Sequence, residues 1–387
     1  MAFGLDTGAE SVVSIKVIGV GGGGSNVVNR MVESGVKGVD FIAVNTDKQA
    51  LSGSNATMKI QIGEKLTEGQ GAGSKPDVGR QSAEESRGAL SKVLEDTDMV
   101  FITAGMGGGT GTGAAPIIAD LAKEMDILTV GVVTKPFSFE GRLRMQQAEE
   151  GIENLRSKVD SLVIIPNDRL KYVTEQKITL SNAFAVADDV LRQAVQSISD
   201  LIKETGFINL DFADVSAVMK DAGMAHMGVG RAAGKNKAEE AARLAVSSPL
   251  LETSINGARG VLVNVTGSSG VGLEEVELAA NLVQEAADPN ALIIFGATFD
   301  ETLEDEIVVT VIATGFDESV MNNKSGDAGR AAPRAAQSGR ERDRGSDRGG
   351  YDRDRGGRND RNDRRAPEPI DDDDPYKEIF KIFNRER

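Results

Sequence analysis

Two glycine-rich runs separate apolar segments from helix-like segments in this 387-residue chain. GVGGGGSN (19–26) follows SIKVI and precedes VVNRMVESG, and GMGGGTGTG (105–113) follows DMVFITA and precedes AAPIIADLAKE. A glycine-rich junction between a strand and a helix presents backbone N–H groups at the positive end of the helix, which favours a bound phosphate. Two such junctions therefore predict a polyphosphate ligand rather than two plain turns.

Neither glycine run continues into the G-K-[ST] sequence of a P-loop, so the phosphates have no lysine of that class. Backbone amides and a magnesium ion are expected to take its place. The first run alone satisfies G-x-G-x-x-G, with Asp40 or Asp47 near the position of a ribose-binding acid. A Rossmann oxidoreductase is therefore the rival enzyme class, and the second glycine run disfavours it.

Short apolar runs alternate with helix-like segments over residues 14–168. This pattern predicts a doubly wound α/β domain with a mostly parallel sheet covered on both faces. The predicted strands lie in SIKVIGV, DFIAVNTD, MKIQIG, DMVFITAG, ILTVGVVTKPF and SLVIIPND. Residues 181–205 repeat apolar side chains at helical spacing and end at Gly206, which predicts one long connecting helix.

The remainder divides into a folded part and a tail. RGVLVNVTG, NALIIFGATFD and EIVVTVIATGF predict three strands of a smaller α+β domain, with a helix in GLEEVELAANLVQEAA. His226, the single histidine, is expected to fill a loop in AGMAHMGVG in a structural role. The predicted segments are a flexible N-terminus (1–13), an α/β domain (14–180), a connecting helix (181–206) and an α+β domain (207–316). A disordered Arg/Asp/Gly linker (317–374) and a C-terminal peptide (375–387) follow.

Composition excludes several classes of function. The chain has no cysteine and one histidine, which removes disulfides, thiolate metal sites and histidine metal clusters. Its formal charge of −16 argues against a general polyanion binder, so nucleic acid is not an expected partner. With no apolar run of eighteen residues and no secretory signal pattern, a cytoplasmic protein without an integral membrane segment is expected.

The C-terminal peptide regains an apolar pattern. Tyr376, Ile379, Phe380 and Phe383 fall at i, i+3, i+4 and i+7, which predicts a short helix that docks onto a partner; the alternative is a frayed polar end. The linker before it carries 12 basic and 7 acidic residues over 330–365. Weak contact with anionic lipid or nucleic acid is a secondary hypothesis beside a solvated spacer.

Taken together, the motifs resemble the FtsZ family, the bacterial homologues of tubulin. The matching pieces, which run in order over residues 14–316, are GVGGGGSN, AVNTD, GAG, AGMGGGTGTGAAP, TKPFSFEGRLR, IPND, NAFAVADDVL and NLDFADV. The resemblance implies a tubulin-like fold and a magnesium-dependent GTPase that polymerises head to tail. It also implies assembly of the division ring at mid-cell, beneath the membrane, with anchor and regulator proteins bound through Tyr376 to Phe383.

The resemblance also implies the residues of the nucleotide site. Ala72 and Gly73 are expected beside the terminal phosphate, and Glu140 and Arg144 at the ribose, although the latter two also fit a plain i,i+4 surface pair. Asn167 is expected to contact the nucleotide, Phe184 to stack on the base and Asp188 to recognise guanine, with Asp189 as an alternative. The expected phosphate contacts are Gly21, Gly22, Gly23, Gly24, Ser25, Asn26, Gly108, Gly109, Thr110 and Gly111. Metal ligands are not assigned.

Two aspartates in NLDFADV are the remaining candidates. Asp211 and Asp214 stand three apart at a predicted helix start, where an N-cap and a favourable charge at the helix dipole explain them without catalysis. The resemblance implies instead that they enter the nucleotide site of the next subunit and polarise the attacking water. If they do not, a scaffold that binds GTP without hydrolysing it is the alternative. The tail departs from the family's Asp-Ile-Pro-x-Phe-Leu pattern, so the resemblance does not identify its membrane anchor.

Overall fold

The computed structural model describes residues 13–172, 178–179, 181–203, 211–250, 255, 257–268 and 270–316. The chain divides into two compact units, Met1–Arg330 and Ala331–Arg387, and every described residue belongs to the first. Except for Val13, the predicted flexible N-terminus lies outside the described residues. So do the predicted linker (317–374) and the C-terminal peptide (375–387).

A parallel sheet forms the first half of the described chain. Its strands are β1 (Ile15–Val20), β2 (Asp40–Asn45), β3 (Met58–Gln61), β4 (Met99–Gly105), β5 (Leu128–Lys135) and β6 (Ser161–Pro166). The helices between them are α1 (Gly21–Glu33), α2 (Lys48–Ser52), α3 (Glu64–Thr67), α4 (Pro76–Glu85), α5 (Arg87–Leu94), α6 (Thr110–Glu124) and α7 (Arg142–Arg156). Two short 3-10 segments, Ser138–Glu140 and Asn167–Tyr172, follow β5 and β6.

The strand order is β3-β2-β1-β4-β5-β6, and all these pairings are parallel. Alternate residues of each strand feed two apolar cores, because successive side chains point to opposite faces. In β1, Ile15 and Val17 pack with α1, whereas Ile18 and Val20 pack with α5 and α6. The predicted mostly parallel sheet covered on both faces is confirmed. The chain reverses its direction of winding between β1 and β4, where ligands bind in open α/β sheets.

Helix α8 (Ala183–Lys203) runs along one face of the sheet from one edge to the other. Its first residue, Ala183, lies beside Phe137 and Asn167, which follow the C-terminal ends of β5 and β6. At its other end, the Lys203 ammonium group donates to the carbonyl oxygen of Val13, just before β1 begins. Its 21 residues correspond to about 30 Å. The helix therefore connects the C-terminal edge of the sheet with the N-terminal edge.

The second half of the described chain extends the sheet. Its elements are α9 (Phe212–Met219), β7 (Gly223–Ala233), α10 (Lys237–Val246), β8 (Gly260–Gly267), α11 (Leu273–Ala286), β9 (Leu292–Phe299) and β10 (Glu306–Thr314). β7 pairs with β6 in parallel near its start and with β10 antiparallel further on; β10 pairs antiparallel with β8, and β8 pairs in parallel with β9. β7 thus joins the two halves into one ten-stranded sheet.

The sequence patterns do not predict β7 or α10, and His226 does not lie in a loop. His226 is a buried residue of β7, 4% exposed, and its ring stands edge-on to Phe316 at 4.7 Å. The glycines that suggest a loop reflect close packing instead. A Cβ atom on Gly228 would lie 2.0 Å from the carbonyl oxygen of Ala245, and one on Gly230 would lie 1.9 Å from that of Ala241. Helix α10 rests directly on the bare backbone of β7.

None of the described helices is long and apolar enough to cross a lipid bilayer.

Candidate functional site

The two glycine runs form one continuous surface at the C-terminal edge of the sheet. β1 and β4 are hydrogen-bonded neighbours with Val20 opposite Ala104, so the residues that follow the two strands emerge side by side. A Cβ atom on Gly21 would lie 2.9 Å from the backbone nitrogen of Gly111. One on Gly23 would lie 3.2 Å from that of Gly105. Only bare backbone allows the two runs to approach this closely.

The glycines of this surface fall into two groups. Gly24 packs inward, since a Cβ atom there would lie 2.3 Å from the carbonyl oxygen of Thr103. Gly22 and Gly108 face open space, where an added Cβ atom would meet no heavy atom within 4 Å. The packed glycines hold the two runs together, and the open ones border the space where a ligand can approach the backbone.

Both helices that begin here have uncapped N-termini. Neither α1 nor α6 has a side-chain cap or an acidic residue in its first turn. The buried Ser25 hydroxyl has no hydrogen-bond partner among the described residues. Free amides, two helix dipoles and an unpaired hydroxyl match the acceptor oxygens of a phosphate. The residues present therefore fit a polyphosphate.

Two further segments border the glycine surface. Ala72 lies against the second run, since a Cβ atom on Gly109 would stand 2.8 Å from the Ala72 Cβ atom; Gly73 is exposed beside it. The Thr110 hydroxyl, at the start of α6, pairs with the Thr46 hydroxyl at 2.7 Å. Sequence reasoning did not identify Thr46, although it lies in the quoted AVNTD motif. The structure brings Ala72 and Gly73 to the predicted phosphate region.

Glu140 and Arg144 lie at the same edge, after β5. The Glu140 carboxylate accepts from the Phe137 amide at 2.8 Å and pairs with the Arg144 guanidinium at 3.2 Å, so the i,i+4 ion pair is present. Asp168 holds the turn that carries Glu140, because its carboxylate accepts from the Ser138 amide at 3.2 Å and from the Ser138 hydroxyl. Asp168 was missed by the motif analysis, although it follows Asn167 in IPND.

An aromatic recess adjoins this turn. A cavity of about 270 Å³ is lined by Phe137, Phe139, Asn167 and the start of α8. Asn167 is 4% exposed, and its side-chain oxygen has no hydrogen-bond partner among the described residues. Phe184 is 48% exposed and meets the Phe137 ring edge-on at 5.6 Å. Aromatic faces beside an unpaired amide oxygen suit a planar heterocyclic base with polar edges.

The two adjacent aspartates of α8 have different surroundings. Asp188 faces α1, where its carboxylate pairs with the Arg30 guanidinium at 3.3 Å. Burial raises the pKa of Asp188, and the hydrogen bond from Arg30 opposes that rise. Asp189 is engaged within its own helix, by Arg192 at 2.8 Å and Gln193 at 2.7 Å. Asp188 is therefore the one that lies between α8 and α1.

Asp211 and Asp214 are not brought to the glycine surface. Helix α9 lies at the N-terminal edge of the sheet, where the Ser161 hydroxyl at the start of β6 donates to the Met219 carbonyl oxygen at 2.6 Å. The two aspartates form a reciprocal capping box, with Asp214 N to Asp211 Oδ1 at 2.8 Å and Asp211 N to Asp214 Oδ2 at 3.4 Å. The N-cap expectation is correct, and α9 follows the end of α8 that lies at the edge where β1 begins.

Family models match both halves of the described chain. The GTPase domain of the tubulin/FtsZ family matches residues 14–175, and the C-terminal domain of the FtsZ family matches residues 223–317. The chain belongs to the tubulin/FtsZ family. As a member of that family it is a GTP-binding cytoskeletal GTPase. The family assignment rules out the Rossmann oxidoreductase hypothesis, which one glycine run alone would have allowed.

Several solved structures superpose on the chain. The empty FtsZ dimer of M. jannaschii is 46% identical, with 78% of this chain and 88% of that chain covered at a TM-score of 0.76. A point mutant of M. jannaschii FtsZ is 45% identical, with 79% and 91% covered at a TM-score of 0.76. CetZ2 of Haloferax volcanii, in a GTPγS-bound protofilament, is 20% identical, with 82% and 98% covered at a TM-score of 0.67, and shares the fold.

Proposed function

We propose that this chain polymerises head to tail into GTP-dependent filaments that form the bacterial division ring, and that each subunit completes the hydrolytic site of its neighbour. The observation that carries this proposal is the position of the two candidate half-sites. The glycine surface lies at the C-terminal edge of the sheet, and helix α9, which begins with Asp211 and Asp214, is bonded to the N-terminal edge through Met219. They meet only when the N-terminal edge of one subunit covers the C-terminal edge of another.

The glycine surface binds the phosphates of GTP. Backbone amides at the starts of α1 and α6 donate to the phosphate oxygens, and each helix end stabilises an anion by about 0.3–1 kcal/mol. Ala72 and Gly73 lie beside the terminal phosphate. Magnesium, when bound, neutralises phosphate charge and polarises the terminal phosphoryl group. The phosphate contacts are the residues predicted above: Gly21, Gly22, Gly23, Gly24, Ser25, Asn26, Gly108, Gly109, Thr110 and Gly111.

The recess after β5 and β6 binds the nucleoside. Glu140 and Arg144 contact the ribose, where the carboxylate can accept from hydroxyl groups. Phe184 stacks on the base, and Asn167 contacts it through its unpaired side-chain oxygen. Asp188 recognises guanine, whose N1–H and exocyclic amine both donate toward a carboxylate. Its position toward α1, away from the contacts that occupy Asp189, supports this choice.

Asp211 and Asp214 act on the nucleotide of the next subunit. Helix α8, about 30 Å long, leads from the recess to the opposite edge of the sheet before the chain reaches the two aspartates, which favours hydrolysis in trans over hydrolysis in cis. The carboxylates orient and polarise the attacking water and help to position the cation. Since general-base catalysis typically contributes about 10²–10⁴-fold, GTP in an unassembled subunit is hydrolysed slowly. A heterologous contact whose rotation does not close a ring generates a filament.

Each predicted segment of the chain has its own role in this proposal. Residues 14–180 bind GTP, residues 181–206 connect, and residues 207–316 carry Asp211 and Asp214. Residues 317–374 act as a spacer, and Tyr376 to Phe383 of the terminal peptide bind membrane-anchor and regulator proteins at the mid-cell division site in the cytoplasm.

Light scattering recorded together with phosphate release tests the proposal. Addition of GTP and Mg²⁺ is expected to raise scattering, with phosphate release that begins above the same protein concentration. GDP with Mg²⁺ serves as the control and gives neither signal. Phosphate release at full rate below the assembly concentration would contradict hydrolysis in trans, and filaments without phosphate release would favour a nucleotide-bound scaffold.

A further inference from the structure

The C-terminal end of helix α9 is bonded to both halves of the sheet. The last carbonyl groups of a helix have no intrahelical donors and need partners from elsewhere. The carbonyl oxygen of Val218 accepts from the Thr314 hydroxyl at 2.9 Å, and that of Met219 accepts from the Ser161 hydroxyl at 2.6 Å. Ser161 is the first residue of β6, and Thr314 is the last residue of β10. One hydroxyl from each half therefore ends the helix.

Both bonds are buried. Ser161 and Thr314 have almost no exposed surface, and Val218 and Met219 are buried as well. Removing a buried hydroxyl leaves a carbonyl oxygen without a donor, because water does not reach it. The end of α9 also packs closely against β8, since a Cβ atom on Gly260 would stand 3.1 Å from a methyl group of Val218 and 3.6 Å from its carbonyl oxygen. The end of α9 thus has little freedom while both hydroxyls are present.

The turn after α9 is fixed by the same edge of the sheet. The Asp160 carboxylate accepts from the Asp221 amide at 3.3 Å and from the Thr129 amide at 2.8 Å, and the Asp160 carbonyl oxygen accepts from Gly223 at 2.8 Å. Asp221 adopts a left-handed conformation, with φ of 52°. The exit of α9 therefore follows one path, and the helix axis is set at this end.

The other end of α9 carries the exposed aspartates. Asp211 and Asp214 bond to each other's backbone, so their positions follow the helix axis. For a helix of about 12 Å, a tilt of about 10° at the fixed end moves the aspartates by about 2 Å. A misplacement of about 1 Å can lower a catalysed rate by about 10²-fold. A small change in the helix angle at Val218 and Met219 therefore produces a larger displacement of the two aspartates.

We infer that Ser161 and Thr314 are positioning residues for GTP hydrolysis, since their hydroxyls hold α9 at the angle that presents Asp211 and Asp214 to the next subunit. This inference rests on the proposed action of the two aspartates in trans. Because each half of the sheet donates one of the two hydrogen bonds, a rotation of one half against the other breaks one bond. The aspartates then move away from the neighbouring subunit. The pair of hydroxyls couples the arrangement of the subunit to turnover.

Three variants of the full chain separate positioning from packing. Ser161→Ala and Thr314→Val each remove one tie, and Thr314→Ser keeps the hydroxyl. Ser216→Ala is the matched control, because the Ser216 hydroxyl donates to Phe212 within α9 at 2.7 Å and ties the helix to nothing else in the described chain. Ser161→Ala and Thr314→Val are expected to lower turnover at saturating GTP about tenfold. GTP affinity of unassembled subunits and filament yield are expected to stay unchanged, with Thr314→Ser and Ser216→Ala near wild type.

The decisive measurement is which subunit of a mixed filament hydrolyses its GTP slowly: the one that carries the substitution or its wild-type neighbour. Each variant is mixed with wild type, and only one of the two proteins is preloaded with GTP labelled on the terminal phosphate. Label on the Ser161→Ala subunit is expected to be released at the wild-type rate by wild-type neighbours, and label on wild-type subunits beside the variant is expected to be released slowly. Equal slowing in both arrangements, or turnover equal to that of Ser216→Ala, would overturn the inference.

Asp214→Ala in the same mixtures separates this inference from the proposed function. If Asp214→Ala shows the directional defect and Ser161→Ala and Thr314→Val do not, the positioning role is wrong and hydrolysis in trans stands. If Asp214→Ala subunits never release their own label beside wild type, hydrolysis in trans itself is wrong, and the inference fails with it.

Discussion

The helices associated with the two edges of the parallel sheet differ in whether side chains cap their N-termini. At the C-terminal edge, α1 and α6 begin with glycine-rich turns, no side-chain caps and no acidic residues. Helix α9, which is bonded to the N-terminal edge, begins with two aspartates that cap it reciprocally. Amides at the first edge remain available for an anion, whereas those of α9 are already bonded to carboxylates.

The two edges therefore have complementary chemistry. One edge supplies donors and positive dipoles, and the other supplies carboxylates whose charge helix α9 itself stabilises. A donor-rich edge and a carboxylate edge on one subunit are the arrangement that the proposed head-to-tail polymer needs. Substitutions can test each edge separately.

The largest effect is expected at the carboxylate edge, for Asp211→Asn. Asparagine caps a helix about as well as aspartate, so the variant removes the charge and keeps α9 folded. We expect turnover to fall by about 10²–10⁴-fold while GTP still binds and filaments accumulate. Phosphate release and sedimentation measure the two quantities. Asp126→Asn, at an exposed aspartate paired with Lys220 near the same edge, is the control and should change turnover little; an equal loss there would contradict a specific role.

At the donor edge, Gly22→Ala and Gly24→Ala should have different effects. The methyl group on residue 22 enters open space beside the proposed phosphate position, so we expect a cost of about 1–3 kcal/mol in binding, or roughly a 5- to 150-fold loss of GTP affinity. Folding should be unaffected. The methyl group on residue 24 meets the Thr103 carbonyl oxygen, so it should lower the melting temperature. Calorimetric titration and thermal denaturation check the pair; equal losses of stability would contradict an open Gly22.

Asp188→Asn should exchange the preferred base. An amide offers a donor to xanthine, which carries an oxygen where guanine carries its amine, so affinity should shift from GTP to XTP by roughly ten- to hundredfold. Asp189→Asn is the matched control, since Arg192 and Gln193 occupy that carboxylate. Competition titration with the two nucleotides measures the shift. A switch caused by the Asp189 variant alone would assign guanine recognition to Asp189.

The pH dependence of GTP affinity should follow Asp188. In the proposed site guanine is recognised by the ionised carboxylate, and burial raises the pKa of Asp188 above its ordinary value of 3.8. GTP affinity is therefore full at pH values above this raised pKa and falls as the pH drops through it, at a higher pH than for an exposed aspartate. Titration of affinity from pH 7 downward checks this, and Asp188→Asn should remove the dependence.

A smaller effect is expected for Asp168→Ala. The variant removes the acceptor that holds Ser138 and therefore the turn of Glu140. At about 1 kcal/mol for a lost hydrogen bond, GTP affinity should fall roughly five- to tenfold. Asp168→Asn keeps an acceptor oxygen and should recover most of the affinity. A full loss with Asn would indicate that the charge acts on the nucleotide directly.

The sequence predicted the parallel sheet well for a physical reason. Its strands are buried on both faces and appear as continuous Val and Ile runs, and each glycine run marks a point where backbone must approach backbone. Strand β7 was not predicted because its Gly228 and Gly230 suggested a loop. These glycines instead allow α10 to pack directly on the strand, a contact that the local sequence does not reveal. The same glycine signal therefore had two causes, and only the packing separates them.

Some residues of the candidate site could be predicted from the sequence, and others could not. Motif spacing located the glycine runs, the family resemblance pointed to Glu140 and Arg144, and the family assignment supports a GTP site at their edge. Asp168, Thr46 and the Arg30 contact of Asp188 depend on side chains that meet only after folding. The capping role of Asp211 was predicted from local chemistry alone. The separation of the two edges depends on the path of α8 and could not be derived from local pattern.

Action of the aspartates of one subunit on the nucleotide of another can be measured in mixed filaments. Asp214→Ala subunits are preloaded with GTP labelled on the terminal phosphate and mixed with wild-type subunits in excess unlabelled GTP. We predict release of labelled phosphate that rises with the fraction of wild type, because wild-type neighbours supply the missing carboxylate. Label that stays unreleased, as with Asp214→Ala subunits alone, would show that each subunit hydrolyses only its own nucleotide and would contradict hydrolysis in trans.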